Sequence, residues 1–238
     1  MRNLKHYHGN TFDFFRDVVQ KKREEALKAR MGILNEDIKL SFLEYKNLFD
    51  DNRLTLSRAR GYSNQDKADL LSLYRYRSKV FQDLKITLTT NEQNRIQDTC
   101  QNCTINQVNT FDHILPKDEF AEFAVNPINL FPCCSQCNGY KSETWRLQNN
   151  ALFLNLYLDI LPQVQFLYVD LNFDENTISP KFYLDNSSAN IDGALFSILE
   201  SHYSRLHLLE RFSRKSDDTV SELRNSIMSS LESSLPIT

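Results

Sequence analysis

The chain has 238 residues, of which 41% are hydrophobic and 25% charged, and its formal net charge at pH 7 is −3. This profile is that of a globular protein and excludes a fibrous or wholly disordered chain. The charge is unevenly spread, because residues 1–99 carry 19 basic and 14 acidic side chains whereas residues 150–238 carry 6 basic and 12 acidic. Any surface that binds nucleic acid is therefore expected mostly on the N-terminal third.

The first residues do not have the pattern of a signal peptide. Lys5, His6 and His8 stand where a signal peptide has an apolar run, and no later window approaches the roughly 18 uncharged apolar residues of a membrane-spanning helix. We therefore expect a cytoplasmic chain, with His6 and His8 in a mobile terminus. Cysteines in that reducing compartment are metal ligands or buried thiols rather than disulfides.

Residues 1–89 are predicted to form a helical N-terminal region. Apolar residues recur at helical spacing from Thr11 to Leu88, which predicts three or four helices. Breaks are expected at 32–35, 50–52 and 61–64, where Ser63 or Asn64 could cap a helix. Helices joined by turns this short usually pack as antiparallel neighbours.

Residues 90–149 form a central region of paired cysteines and short strand-like runs, and residues 150–238 form a third region. In the third region, β-branched and aromatic runs at 164–173 and 178–184 flank a turn at 174–176 and predict a β-hairpin. Helical spacing returns from Ile191 to Leu235, and it places His202 and His207 on different faces of a predicted helix, which disfavours a joint metal site. The predicted fold class is α+β, mainly α.

Four of the five cysteines form two pairs, Cys100-x-x-Cys103 and Cys134-x-x-Cys137, separated by 30 residues. Each pair presents two thiolates from a tight turn, so the four sulfurs can close the tetrahedron that zinc prefers. Four cysteine ligands leave no open position for chemistry, so this zinc is expected to be structural and to stabilise the fold. Cys133 is expected to be a small buried hydrophobe.

The segment between and after these pairs resembles the HNH endonuclease family. It contains Phe111-Asp112-His113-Ile114-Leu115-Pro116-Lys117, then Asn129-Leu130, then Asn138 and Lys141 after the last cysteine. The family pattern is Asp-His, then Asn-Leu, then Cys-x-x-Cys followed by His or Asn and a Lys. The resemblance implies a nuclease with a ββα-metal fold, in which a small β-hairpin packs on a helix with one metal between them.

The chemistry of phosphodiester hydrolysis assigns roles to these side chains. The reaction needs a base to deprotonate water and a cation to stabilise the charge on the phosphorane. His113 can act as a base near neutrality, and the matching family residue has that role. The resemblance implies that Asp112 and Asn138 hold Mg²⁺ or Mn²⁺, cations that prefer hard oxygen ligands. It also implies that Asn129 braces the loop and orients the histidine, and Lys141 could contact a phosphate.

Adjacent residues of a regular strand point to opposite faces, so Asp112 and His113 are expected at the end of a strand. Phe111, Leu130 and Trp145 are expected to form the core of the small motif rather than a surface that stacks on bases.

Three functional classes follow from these residues. They are a nuclease that cleaves DNA, an RNase with the same centre, for example one that attacks tRNA, and a zinc module that only binds nucleic acid or protein. The base beside two hard-metal ligands disfavours the binding module, whereas nothing in the sequence separates DNA from RNA.

The segments 111–117, 131–134 and 203–212 are similar to those of HNH subunits that accompany an ATPase in Septu-type antiphage systems. This resemblance leads us to expect DNA cleavage in defence against phage. The net acidic C-terminal third is ill suited to face a polyanion, so we also expect a protein partner, an ATPase, to supply affinity for the nucleic acid.

Overall fold

The computed structural model describes residues 1–174 and 177–234, which form an α+β fold that is mainly α-helical, as predicted. The chain divides into two compact units, Met1–Leu161 and Pro162–Thr238. The first unit contains both the N-terminal helices and the central region with its paired cysteines. No helix among the described residues is long and apolar enough to cross a lipid bilayer.

The first unit begins with four α-helices. They are α1 (Thr11–Gln20), α2 (Glu25–Asp50), α3 (Asn64–Leu73) and α4 (Lys79–Thr89). Helix α1 begins at Thr11 because the Asn10 side-chain oxygen accepts hydrogen bonds from the backbone N–H groups of Phe12 and Asp13, at 2.9 and 3.2 Å. Ser63, one of the two predicted capping residues, occupies the N-cap position of α3, but its side chain makes no capping hydrogen bond there.

The predicted break at 32–35 is wrong, because α2 continues through it. Gly32 is exposed, and a β-carbon added there would meet nothing within 4 Å. A glycine costs a helix only about 1 kcal/mol relative to alanine. The burial of Met31 and Ile38 on the inner face of the helix outweighs that cost and keeps the helix continuous.

The core of the first unit lies between α1, α2 and α4 and continues into the central region. Phe15 of α1 packs edge-on against Phe42 of α2, with 5.9 Å between the ring centroids. Tyr45, one turn further along α2, packs edge-on against Phe123 of the central region at 4.8 Å. The helices therefore support the segment in which the predicted site lies.

The residues before α1 are packed within the first unit, at the place where a mobile terminus around His6 and His8 was expected. The backbone N–H of Leu4 donates to the Leu156 carbonyl at 3.0 Å, and the Leu4 side chain is buried. The His6 ring packs edge-on against Phe49 at 5.3 Å.

The central region is a β-hairpin followed by a short helix. Strands β1 (Thr110–His113) and β2 (Leu130–Cys133) pair antiparallel, with Asp112 opposite Phe131 and His113 opposite Leu130. Helix α5 (Ser135–Lys141) follows directly, and a further pair of two-residue strands, β3 (Arg146–Leu147) and β4 (Asn150–Ala151), comes next. The ββα order of elements agrees with the expectation.

The second unit begins with the predicted hairpin, formed by β5 (Leu167–Asp174) and β6 (Thr177–Leu184). Glu175 and Asn176 of the predicted turn lie outside the described residues. Helices α6 (Gly193–Arg205) and α7 (Leu208–Ser234) follow, and Leu235 again lies outside the described part.

Two histidines of the second unit were expected on one helix, and this expectation is wrong. His202 is buried within α6, whereas His207 is exposed between α6 and α7 with a φ of 52°. The chain turns there so that α7 can pack its Phe212 against Phe182 of β6, with 5.7 Å between the centroids.

Candidate metal centre and active site

The four paired cysteines converge on one point. All four are buried, and the sulfurs of Cys100, Cys103, Cys134 and Cys137 lie within 4.8 Å of one another. A zinc tetrahedron with bonds of about 2.3 Å has edges of about 3.8 Å, and the sulfurs of Cys103 and Cys134 are 3.8 Å apart. The group can therefore hold a metal ion such as zinc, as the spacing predicted.

Backbone and side-chain N–H groups point at these sulfurs. The N–H groups of Ile105 and Cys137 donate to Cys103 and Cys134 at 3.5 and 3.4 Å, and the Asn106 side-chain amide donates to Cys134 at 3.8 Å. Donors of this kind favour the thiolate form of a cysteine.

The crowding of the sulfurs has an electrostatic consequence. The neighbouring Cys103 and Cys134 sulfurs raise the pKa of Cys100 far above its usual value. Four thiolates at such distances repel one another, and a divalent cation at their centre removes that repulsion.

Cys133 precedes the second pair and is not part of the cluster. It lies on β2 opposite Thr110, where burial raises the pKa of its thiol well above the usual value. The expectation that it is a small buried hydrophobe is confirmed.

Asp112 and His113 are the last two residues of β1, so the expectation of a strand end is confirmed. The N–H of Ile114 donates to the Asn129 carbonyl at 2.9 Å just beyond the strand. Phe111, Leu130 and Trp145 are all buried, so their expected core role is also confirmed.

The surroundings of His113 fix its tautomer. Its Nε2 lies 2.9 Å from the Ala124 carbonyl oxygen, which can only accept, so Nε2 carries the proton. Nδ1 is then the nitrogen that bears a free lone pair in the neutral ring. Burial lowers the pKa of His113 to about 4, and the nearby Lys117 and Lys141 act in the same direction. Tyr74 packs edge-on against the imidazole, with 4.8 Å between the centroids.

Asp112 is paired with Lys141 across the interface between β1 and α5. The Lys141 ammonium donates to Oδ1 of Asp112 at 3.0 Å and to the His113 carbonyl at 2.7 Å, and both side chains of the ion pair are 8% exposed. Burial raises the pKa of Asp112, and Lys141 opposes that rise by stabilising the charged form. Lys141, expected to contact a phosphate, here joins the C-terminal end of α5 to the end of β1.

Asn129 is fully buried and braces the loop, as the resemblance implied. Its Oδ1 accepts from the Leu115 N–H at 2.8 Å, and its Nδ2 donates to the carbonyls of Leu115 and Phe123 at 3.0 and 3.2 Å. Because Phe123 is next to Ala124, whose carbonyl accepts from His113, these bonds hold the acceptor that orients the imidazole.

Asn138 lies on α5 one turn before Lys141 and is half-buried. Its backbone N–H donates to the Cys134 carbonyl at 3.0 Å, so the cysteine turn fixes its position. The ββα arrangement thus brings Asp112, His113, Asn129 and Lys141 into one bonded network, with Asn138 on the adjoining helix.

Sequence reasoning missed one member of this network, Tyr45 of α2. Its hydroxyl donates to Oδ1 of Asn129 at 3.0 Å, and its ring is buried. A tyrosine on the apolar face of a long helix has the same local pattern as any core residue. No signal in the sequence distinguishes it, because its partner lies 84 positions away.

Comparison with known proteins adds little to this geometry. No protein-family model and no solved structure matches the chain. The chain is similar to "Protein ea31" of Escherichia phage lambda, with 28% identity over 130 residues, which are 52% of this chain and 43% of that protein. The chain thus spans less than half the length of that curated relative, so any assignment of function depends on the site itself.

Proposed function

We propose that this chain is a metal-dependent endonuclease of the HNH type. The observation that carries the proposal is the buried network at the end of β1. There His113 is held by the Ala124 carbonyl with Nδ1 as its basic nitrogen, and it follows Asp112 directly in the strand. A neutral, oriented imidazole beside a carboxylate is what the base-catalysed attack of water on a phosphodiester requires.

In this proposal His113 accepts the proton of the attacking water at Nδ1. The lowered pKa keeps the ring neutral, with the Nδ1 lone pair available, throughout the neutral pH range, and it also makes the imidazole a weaker base than a free histidine. Asn129 is a positioning residue, since it acts by holding the loop that carries the Ala124 carbonyl.

The residues Asp112 and Asn138 would hold the catalytic Mg²⁺ or Mn²⁺. One carboxylate and one amide oxygen on adjoining elements fit these hard cations, which usually take one or two carboxylates and complete their shell with water and phosphate oxygens. When bound, the cation stabilises the negative charge that develops on the phosphate. Lys141 already neutralises Asp112 in the chain itself, so it keeps this buried carboxylate in place and charged.

We assign zinc to the four-cysteine cluster and give it a structural role. The cluster joins the turn before β1 to the start of α5, where Cys134 is the N-cap residue. Zinc binding at such a site contributes directly to the free energy of folding.

The test of the nuclease function is a cleavage assay with plasmid, single-stranded DNA and total RNA in Mg²⁺ or Mn²⁺. We expect cleavage by the wild type and a loss of roughly 10²- to 10⁴-fold in His113→Gln. Glutamine suits the test better than alanine because its amide can still donate to the Ala124 carbonyl, whereas alanine would leave a cavity at a buried position.

The matched control is His207→Asn, which alters an exposed histidine and places at its positive φ a residue that tolerates that conformation. This control should cleave at the wild-type rate. Cleavage by His113→Gln at the wild-type rate would show that another group activates the water. A wild type that binds nucleic acid but cleaves none of the three substrates would favour the non-catalytic zinc module.

The preferred substrate in this proposal is DNA, in defence against phage, with an ATPase as partner. The observation that supports a protein partner is an exposed apolar stripe on α7, where Leu223, Ile227 and Leu231 recur every four residues and are between 51% and 60% exposed. A stripe at this spacing suits a partner protein better than a polyanion. RNA stays the alternative substrate, and the RNA arm of the cleavage assay decides it.

Co-expression with the protein encoded next to this chain tests the partner. We expect a larger complex and faster cleavage than by the chain alone, and loss of the complex in Leu223→Ser/Ile227→Ser but not in Arg224→Ser. A monomer that cleaves at full rate and gains nothing from the neighbouring protein would refute this part of the proposal.

A further inference from the structure

A cavity of about 430 Å³ lies between the segment before α1 and the middle of α2. It is separate from the network around His113. Its lining consists of His6, Tyr7, His8, Gly9, Asn10, Thr11, Phe12, Lys39, Phe42, Leu43, Lys46, Phe49 and Ile128. The volume falls within the roughly 300–1,000 Å³ of ordinary small-molecule sites.

The inner part of the cavity is aromatic. Phe42, Phe49 and Ile128 are buried and form its floor. Phe12 is half-buried and stands edge-on to Phe42 at 6.3 Å, and His6 stands edge-on to Phe49 at 5.3 Å. The half-buried rings of Phe12 and His6 can therefore pack against a flat heterocycle, and Phe42 and Phe49, which are 2% and 1% exposed, close the floor beneath it.

The outer part is basic. Lys39, Lys46, His6 and His8 line the cavity, and none of its lining residues within the described part of the chain is an aspartate or a glutamate. A cavity that combines aromatic rings with basic side chains and lacks carboxylates suits an anion that carries an aromatic ring.

Both lysines are available to such an anion. Lys39 pairs with Glu36 at 3.6 Å and Lys46 pairs with Asp50 at 2.6 Å, and each lysine side chain is about half exposed. Exposed pairs of this kind are weak, so a phosphate can replace the carboxylate.

We propose that this cavity binds a nucleotide, with the base against Phe12 above the floor formed by Phe42 and Phe49, and with the phosphate at Lys39 and Lys46. The same chemistry is presented by a free nucleotide and by one unpaired nucleotide of a strand. The proposal does not depend on the nuclease function, because binding in this cavity uses none of the residues around His113.

The test is calorimetric titration of the full chain, without added Mg²⁺ or Mn²⁺, with AMP, adenosine and inorganic phosphate. We expect AMP to bind more tightly than either other probe. The double variant Lys39→Ala/Lys46→Ala should weaken AMP binding by roughly tenfold or more and leave adenosine binding unchanged. Phe12→Leu should weaken the binding of both AMP and adenosine, because the ring that packs on the base is lost.

Lys21→Ala is the matched control for the lysines. Lys21 pairs with Asp17 four residues away, and its side chain is 59% exposed, compared with 51% for Lys46, but it does not line the cavity. This control should bind AMP as the wild type does. AMP that fails to saturate the protein, or binds the double lysine variant as tightly as the wild type, would overturn the proposal. Inorganic phosphate that binds as tightly as AMP would overturn the role of the aromatic part.

A short single-stranded oligodeoxythymidine then distinguishes the two sources of the nucleotide. If it displaces AMP and loses affinity in the double lysine variant, the cavity takes a nucleotide of a strand. If AMP binds and the oligonucleotide does not displace it, the cavity takes a free nucleotide. These measurements detect binding and not cleavage. Failure of the nuclease proposal would therefore appear in the cleavage assay, and failure of the cavity proposal would appear in the titration.

Discussion

The cysteine cluster and the network around His113 lie within the same ββα arrangement, and both are buried, yet they balance charge in opposite ways. Four sulfurs meet in the cluster, all within 4.8 Å of one another, and thiolates at such distances repel one another. Beside His113, by contrast, the buried carboxylate of Asp112 has its own cation in Lys141. The cluster should therefore depend on an external metal for its stability, whereas the His113 network should keep its arrangement without one.

The largest expected effect tests the first half of this comparison. Cys100→Ser should abolish binding of the zinc and destabilise the first unit by several kcal/mol, since structural zinc sites contribute on the order of 10 kcal/mol. Elemental analysis and thermal denaturation measure the two effects. Cys133→Ala is the control, because this buried cysteine is outside the cluster and its loss should leave one zinc per chain. A Cys100→Ser chain with full zinc and unchanged melting would remove Cys100 from the site.

The next effect tests the internal ion pair. Lys141→Met should lower the free energy of unfolding by about 3–5 kcal/mol, because it leaves the Asp112 carboxylate buried and unpaired. Adding Asp112→Asn should recover part of that loss by removing the charge. Lys117→Met, at a more exposed lysine of the same segment, should be nearly neutral in a denaturation experiment. Equal stabilities for the two lysine variants would mean that the buried pair contributes nothing.

The dependence of stability on pH sharpens the comparison further. His113 has a folded-state pKa of about 4, below an unfolded value of about 6.5. As the pH falls from about 6.5 to about 4, the unfolded chain therefore binds the proton first, and stability should decrease by on the order of 3 kcal/mol. His113→Gln should lack this component of the pH profile. The raised pKa of Asp112 makes the stability increase as the pH falls. This contribution is present in both the wild type and His113→Gln, so it cancels when one stability profile is subtracted from the other. Identical profiles would contradict the burial of a neutral imidazole.

The smallest effect concerns the tie between α2 and the loop. Tyr45→Phe removes the hydroxyl that donates to Asn129 and should destabilise the first unit by about 1 kcal/mol. Asn129 keeps its bond from the Leu115 N–H, so its position should change little. Tyr140→Phe, at an exposed tyrosine, is the control in the same denaturation measurement. If Tyr45→Phe loses nuclease activity under conditions in which the chain is still folded, α2 positions the loop for catalysis.

The sequence by itself determined the cysteine cluster and the place of Asp112 and His113 at a strand end, whereas the hairpin and helix of the motif were expected from the resemblance to the HNH family. These features are local, because a cysteine pair in a turn and an alternation of two residues are set by a few neighbouring positions. It also determined the burial of Cys133 and the core role of Phe111, for the same reason.

Only the tertiary structure decided how distant segments pack and what each polar group contacts. The continuity of α2 through Gly32 depends on burial by other elements, and the packing of the terminus around His6 depends on Phe49. The pairing of Lys141 with Asp112 spans 29 positions and that of Tyr45 with Asn129 spans 84. Periodicity and spacing report on neighbours along the chain, whereas hydrogen bonds and ion pairs between distant segments follow from how the helices pack against the hairpin.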